Sequence, residues 1–101
     1  MTIATIKQQQ DAIVVSGDLN FASVVALWNE SLPLLAQQQR ALHFDFSAVS
    51  SSNSAGLALM LEWFKYARQK NKSIRFQHVP QQLLSIMAVS GVRSLLDGIV
   101  Q

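Results

Sequence analysis

The sequence predicts an α/β domain: a mixed sheet with helices mainly on one face, in the order β-β-α-β-α-β-α. Three observations predict it. Runs with the two-residue alternation of strands and runs with the three- and four-residue spacing of helices succeed one another along the chain. The first two strand-like runs lie only a few residues apart, as in an antiparallel hairpin, whereas the later ones are separated by helical runs that suit right-handed parallel crossovers. The later strands mix apolar and polar residues instead of being apolar throughout, so only one face of the sheet needs a cover. At 101 residues, half of them apolar, the chain is a single domain, residues 1–101, large enough to bury a core without staples.

Residues 2–7 and 12–16 read as the first two strands, with Gln8-Gln9-Gln10-Asp11 turning between them. Gly17-Asp18-Leu19-Asn20 breaks the pattern, and Asp18 or Asn20 caps the helix that follows. That helix carries Phe21, Val24, Val25, Trp28, Leu32 and Leu35 on one apolar face. Pro33 removes a hydrogen bond inside it, which predicts a kink, or a break after about Ser31. The next strand, 42–47, sets Leu42, Phe44 and Phe46 against His43 and Asp45. The main helix, 54–70, has two stripes. Leu57, Met60, Leu61 and Phe64 are expected to pack on the sheet. Leu59, Trp63 and Tyr66 form a second stripe, which either a neighbouring helix covers or a partner protein uses. A strand over 73–79 follows. Pro80 opens a last helix with Leu83, Leu84, Ile86 and Met87 on its apolar side, and Ser90-Gly91 ends it. Residues 92–98 make a final turn, and Ile99-Val100 a short strand or tail.

Several function classes drop out. The net charge is only +2, and cysteine is absent, so no disulfide framework or thiolate site exists. The cations Lys65, Arg68, Lys70, Lys72 and Arg75 fall where a helix ends and a strand begins, a place where they oppose the helix dipole and keep a turn solvated. Nucleic acid is therefore not the expected partner. No apolar run approaches the length of a membrane span, and residues 1–6 lack the basic start and long apolar segment of a signal peptide. His43 and His78 have no third ligand pattern and read as polar-face or sheet-edge residues. No phosphate-binding glycine loop occurs, so neither a nucleotide nor any other cofactor is expected. Ser52-Asn53-Ser54-Ala55-Gly56 resembles a nucleophile elbow, but Ser52 replaces its first glycine. His78 and Asp97, the residues a triad would need, come in the wrong order. The chain is not read as an enzyme.

What remains is the junction Ser50 to Leu57, where four serines and Asn53 lie between a strand and the most apolar helix. Unpaired backbone N–H groups and the positive end of a helix dipole at such a place suit an anion, a phosphorylated side chain or a partner's acceptor group. Asp45-Phe46-Ser47-Ala48-Val49, then Asn53-Ser54-Ala55-Gly56-Leu57-Ala58-Leu59-Met60-Leu61, resembles the signature of STAS domains, the family of bacterial anti-sigma-factor antagonists and of the cytoplasmic domains of sulfate transporters. Ser90-Gly91-Val92 resembles a later family motif. Ser16-Gly17-Asp18-Leu19, the following Leu27-Trp28, and Gly56-Leu57-Ala58-Leu59 look most like the small STAS subunit of Mla-type phospholipid ABC transporters.

This resemblance implies a non-enzymatic cytoplasmic subunit, peripheral to the inner membrane of a Gram-negative bacterium. It would bind the ATPase within a complex that contains a membrane permease and maintains outer-membrane lipid asymmetry. The contact expected from it and from the second stripe comprises Ser52, Asn53, Ser54, Ala55, Leu59, Glu62, Trp63 and Tyr66. The alternative is an anti-sigma-factor antagonist regulated by phosphorylation, since Ser54 aligns with the phosphorylated serine of signalling members. Those members carry an acid where this chain has Asn53.

Overall fold

The computed structural model describes residues 2–101. Its elements are β1 (Thr5–Gln9), β2 (Ala12–Leu19), α1 (Phe21–Gln37), β3 (Ala41–Ser52), α2 (Ser54–Gln69), β4 (Ser73–Gln77) and α3 (Gln81–Ser90). The sheet runs in the order β1-β2-β3-β4. β1 and β2 are antiparallel, while β2/β3 and β3/β4 are parallel. The β1–β2 turn is tighter than the sequence suggested, because Gln8 and Gln9 belong to the strand and Gln10 takes the left-handed conformation at φ 54°.

Alternation decides which face is covered. Ile13, Val15 and Leu19 of β2, Leu42, Phe44 and Phe46 of β3, and Ile74 and Phe76 of β4 all point to the helices and are buried. Their neighbours Val14, Ser16, His43, Asp45 and Arg75 lie on the other, open face and are half-buried or exposed. After β4 the chain turns through His78 in the left-handed conformation. The tail comes back along β4: Phe76 N–H donates to the Ile99 carbonyl at 2.6 Å, and Gln101 N–H to the Phe76 carbonyl at 2.8 Å.

The middle helix differs most from expectation. Of the two covers the sequence allows for the second stripe, neighbouring elements of the chain supply it: Trp63 and Leu59 are core residues with 0% and 3% exposure, and Tyr66 is half-buried, so Leu59, Trp63 and Tyr66 are not the exposed contact expected of them. α2 lies between α1 and α3 on the same face of the sheet, so its apolar arc must meet three neighbours instead of one. Its inward direction passes between the two predicted stripes, through Gly56, Met60, Trp63 and Ala67, all buried. Leu61 and Phe64, expected on the sheet, are only partly buried. The Trp63 ring stacks on Phe44 with centroids 4.2 Å apart and meets Phe46 edge-on at 6.3 Å. Phe44 in turn stacks on Phe76 at 5.3 Å.

α1 departs in a related way. Its buried side is Leu27, Ser31 and Leu35, with Val24, Trp28 and Leu34 partly covered. Phe21 and Val25, which the spacing places on the same apolar face, are 69% and 66% exposed, and Leu32 lies at the margin. The apolar arc of this helix is wider than the sheet can cover. The centre of its buried side is a serine, which a count of apolar residues passes over. Ser31 accepts from Trp63 Nε1–H at 3.0 Å and donates to the Trp28 carbonyl at 2.7 Å, so both buried polar groups are satisfied. Pro33 does not break the helix, which continues to Gln37. Pro33 and Asn29, whose carbonyl loses its partner, are both exposed, so water can take the place of the missing donor. The capping residue is Asn20: its side chain accepts from the N–H groups of Ala22 and Ser23, and the Ser23 hydroxyl accepts from the Asn20 N–H.

Two outcomes follow. Ser31→Ala leaves the Trp63 N–H buried without an acceptor and lowers stability by about 1–3 kcal/mol, read from urea denaturation followed by tryptophan fluorescence. On the open face, burial pushes the Asp45 carboxyl up. The Ser47 N–H at 2.9 Å, the Ser47 hydroxyl and the His78 ring at 3.1 Å more than offset this, and hold it below its ordinary value. Its contribution is therefore present above the unfolded-state value and lost as pH falls through the lower folded one. Acid titration of Asp45→Asn is expected to show a shallower loss of stability over that interval than the parent.

Candidate functional site

The junction before α2 is tighter than a serine-rich loop. β3 continues through Ser52, so only Asn53 links strand to helix. The strand reaches that far by bulging twice: it gains one residue on β2 between Asp45 and Ala48, and another between Val49 and Ser51. Gly17, opposite the second bulge, has φ +85°, and a Cβ there would stand 2.2 Å from the Ile3 carbonyl oxygen. Asp18 does not cap α1. It joins the N-terminal segment to the bulged strand, accepting from Thr2 N–H and from the Ser51 hydroxyl, each at 3.0 Å.

Most polar groups at this junction are already used. Asn53 caps α2 by accepting from Ala55 N–H at 2.8 Å, while its own carbonyl receives Gly56 N–H at 3.0 Å. The Ser52 hydroxyl donates to the same carbonyl. With these donors taken, the helix end is a poor anion cradle, and the first of the functions suited to such a junction loses its basis. Ser54, the first residue of α2, is exposed, as is Asn53. Ala55 is buried, and Gly56 is buried because Ser52 Oγ lies only 2.1 Å from where its Cβ would be, with Leu83 and Leu19 at 3.3 and 3.4 Å.

The exposed line of α2 is thus Ser54, Ala58 and Glu62, not Leu59, Trp63 and Tyr66. Beside it runs the surplus apolar arc of α1. Between the two helices lies a shallow groove of about 230 Å³, lined by Val24, Val25, Trp28, Ala58 and Leu59, with Glu62 at its rim. Leu59 forms part of the groove floor. Glu62 is paired only loosely with Lys65, at 3.8 Å between exposed side chains. The structure therefore brings Glu62 of α2 together with Val24, Val25 and Trp28 of α1, part of the helix's apolar face, while Ser54 lies on the same exposed line of α2. The signal was available in Phe21-Ala22-Ser23-Val24-Val25-Ala26-Leu27-Trp28, which is apolar around more of the helix than one sheet face requires.

The hydrolase arrangement fails on geometry, since the His78 ring faces Asp45 and not Asp97. Among the described residues, no group of three or more His, Cys, Asp or Glu side chains could hold a metal ion. Nor, among them, is any helix long and apolar enough to cross a membrane.

These features define a small α/β domain with a capped helix end at Asn53 and an exposed apolar groove between α1 and α2. The family model described as "Mlab, STAS domain" matches residues 4–98, and the chain belongs to that family. No curated protein matches it in sequence. Among solved structures, it is similar to an anti-sigma factor antagonist from Mycobacterium paratuberculosis, with 18% identity, a TM-score of 0.69, and coverage of 91% of this chain and 80% of that one. It is similar to the anti-sigma factor antagonist SpoIIAA in its unphosphorylated form, at 14% identity and a TM-score of 0.70, over 97% and 85% of the two chains. A STAS domain protein from Planctomyces limnophilus gives 15% identity and a TM-score of 0.67, over 93% and 86%. At these identities the likeness is one of fold.

The crowding at Gly56 gives a test of the junction. Gly56→Ala is expected to cost about 1–3 kcal/mol by overpacking, and Ser52→Ala in the same chain should recover part of it. Chemical denaturation of the single and double variants measures both.

Proposed function

We propose that this chain is a non-enzymatic accessory subunit that binds the ATPase of an ABC-type phospholipid transport system serving outer-membrane lipid asymmetry. The docking surface is Ser54, Ala58 and Glu62 of α2 together with Phe21, Val25 and Trp28 of α1. Asn53 and Ser52 support it by fixing the helix end. The observation that carries the reading is the exposure of Phe21 and Val25 on α1, with Val25 lining a groove whose other wall is Ala58 and Glu62 of α2, the helix that Ser54 begins. Contiguous exposed apolar side chains bordering a groove mark interaction sites, and aromatic residues are favoured anchors there. Membership of the Mlab-type STAS family supports an ATPase as that partner and a cytoplasmic position at the inner membrane within a permease-containing complex.

A second reading is favoured by the exposed Ser54 hydroxyl at the first position of α2 and by the fold shared with anti-sigma factor antagonists. In it, a kinase-like anti-sigma factor phosphorylates Ser54. A phosphate of about −1.5 to −2 charges is tolerable at a helix N-terminus but opposes an apolar contact, so in either reading modification would act as an off signal.

Co-purification with the ABC-transporter ATPases of the same cell tests the first reading. Ser54→Arg and Val25→Glu should each weaken capture by about tenfold or more with circular dichroism and melting temperature unchanged. Normal capture by both variants rules out this surface. Stoichiometric phosphorylation of Ser54 by a cognate anti-sigma factor, with no ATPase captured, selects the second reading.

A further inference from the structure

We infer that Gln82, in the first turn of α3, is a positioning residue for the Ser54 end of α2 and acts through the backbone of Ser52. The last paired residues of β3 and β4 are Asp45 and Gln77, so the rest of β3 has no strand beside it on that side. There the Ser52 N–H is met by Gln82 Oε1 at 3.1 Å. Ser52 then fixes the start of α2 in two ways. Its hydroxyl donates to the Asn53 carbonyl at 3.0 Å, and the same oxygen occupies the space a Cβ on Gly56 would need. From the β2 side, the Leu19 carbonyl accepts from Asn53 N–H at 3.2 Å. With one residue between strand and helix, a shift of Ser52 has no slack to absorb it and passes to Ser54.

Gln82 is exposed and contributes nothing to the core, unlike its neighbour Leu83, which is fully buried. Its role is confined to a hydrogen bond that uses only its oxygen. Gln82→Glu keeps an acceptor at the same reach, whereas Gln82→Met keeps the length of the side chain and removes the acceptor. The consequence for docking rests on the proposed function above; the positioning itself does not.

Hydrogen exchange of the Ser52 amide, followed by NMR on the full chain, separates the two. Alongside it, affinity for the ABC-transporter ATPase that the parent captures is measured for the parent and both variants. Gln82→Met should raise Ser52 exchange roughly tenfold and weaken ATPase binding on the order of fivefold, with the melting temperature little changed. Gln82→Glu should restore both, which a merely structural contribution of side-chain bulk would not do. Unchanged Ser52 exchange in Gln82→Met overturns the inference, as does an equal loss in the two variants. Raised exchange with undiminished ATPase affinity overturns its functional half. If exchange follows the expected pattern but the parent captures no ATPase, the docking reading fails and the positioning role stands.

Discussion

Trp63 is held between an aromatic ring and a hydroxyl, and the layout of the helical layer depends on that arrangement. Its ring lies flat on Phe44 in the middle of the sheet, and its one polar atom is buried where no water reaches. A large aromatic side chain in this position contributes much apolar area, but only if the indole N–H finds an acceptor. The acceptor is Ser31, and Ser31 belongs to the neighbouring helix. The contact therefore determines more than the packing of one side chain. It fixes which side of α1 faces inward and how closely α1 approaches α2.

The surface of the protein follows from that rotation. Once Ser31 is turned toward Trp63, Leu27 and Leu35 accompany it into the core, and Phe21 and Val25 are left outside, Val25 in the groove against α2. The apolar groove between α1 and α2 is what remains of an α1 arc too wide for the sheet alone. Core and candidate docking surface are thus two parts of one continuous apolar arc, divided by a single buried hydrogen bond. At the start of α2 the strand-to-helix link is reduced to Asn53, and Ser51 and Ser52 are engaged with Asp18 and Asn53. The polar character of that segment goes mainly into holding the helix end still.

Element order, strand pairing and the one-sided cover of the sheet were legible in the sequence because each rests on a local period: Leu42, Phe44 and Phe46 alternate with His43 and Asp45 whatever surrounds them. The central motif was legible too, since Asn53 and Gly56 answer strictly local demands, a cap and a close approach. The orientation of α2 was not. Two stripes on one helix show that more than the sheet must cover it, but not whether a neighbouring helix or a partner does so, and Trp63 is compatible with either until its acceptor on α1 is seen. Ser31 could not be found by counting apolar residues, because its partner lies 32 positions away. The length of β3 was hidden for a similar reason: the bulges that carry it through the serines are matched to β2, and no pattern within β3 announces them.

The tail along β4 also bears on how the protein behaves at high concentration. A sheet with two free borders is a template for growth, since the outward N–H and C=O groups of one molecule can pair with those of the next. Here one border is partly closed by Ile99 and Gln101, which occupy both outward groups of Phe76. The other belongs to β1, a five-residue strand with an exposed lysine at its centre, where a second copy laid across it antiparallel would bring like charges together. The domain can leave an apolar groove open to a partner while keeping its sheet borders unsuited to fibrous self-assembly.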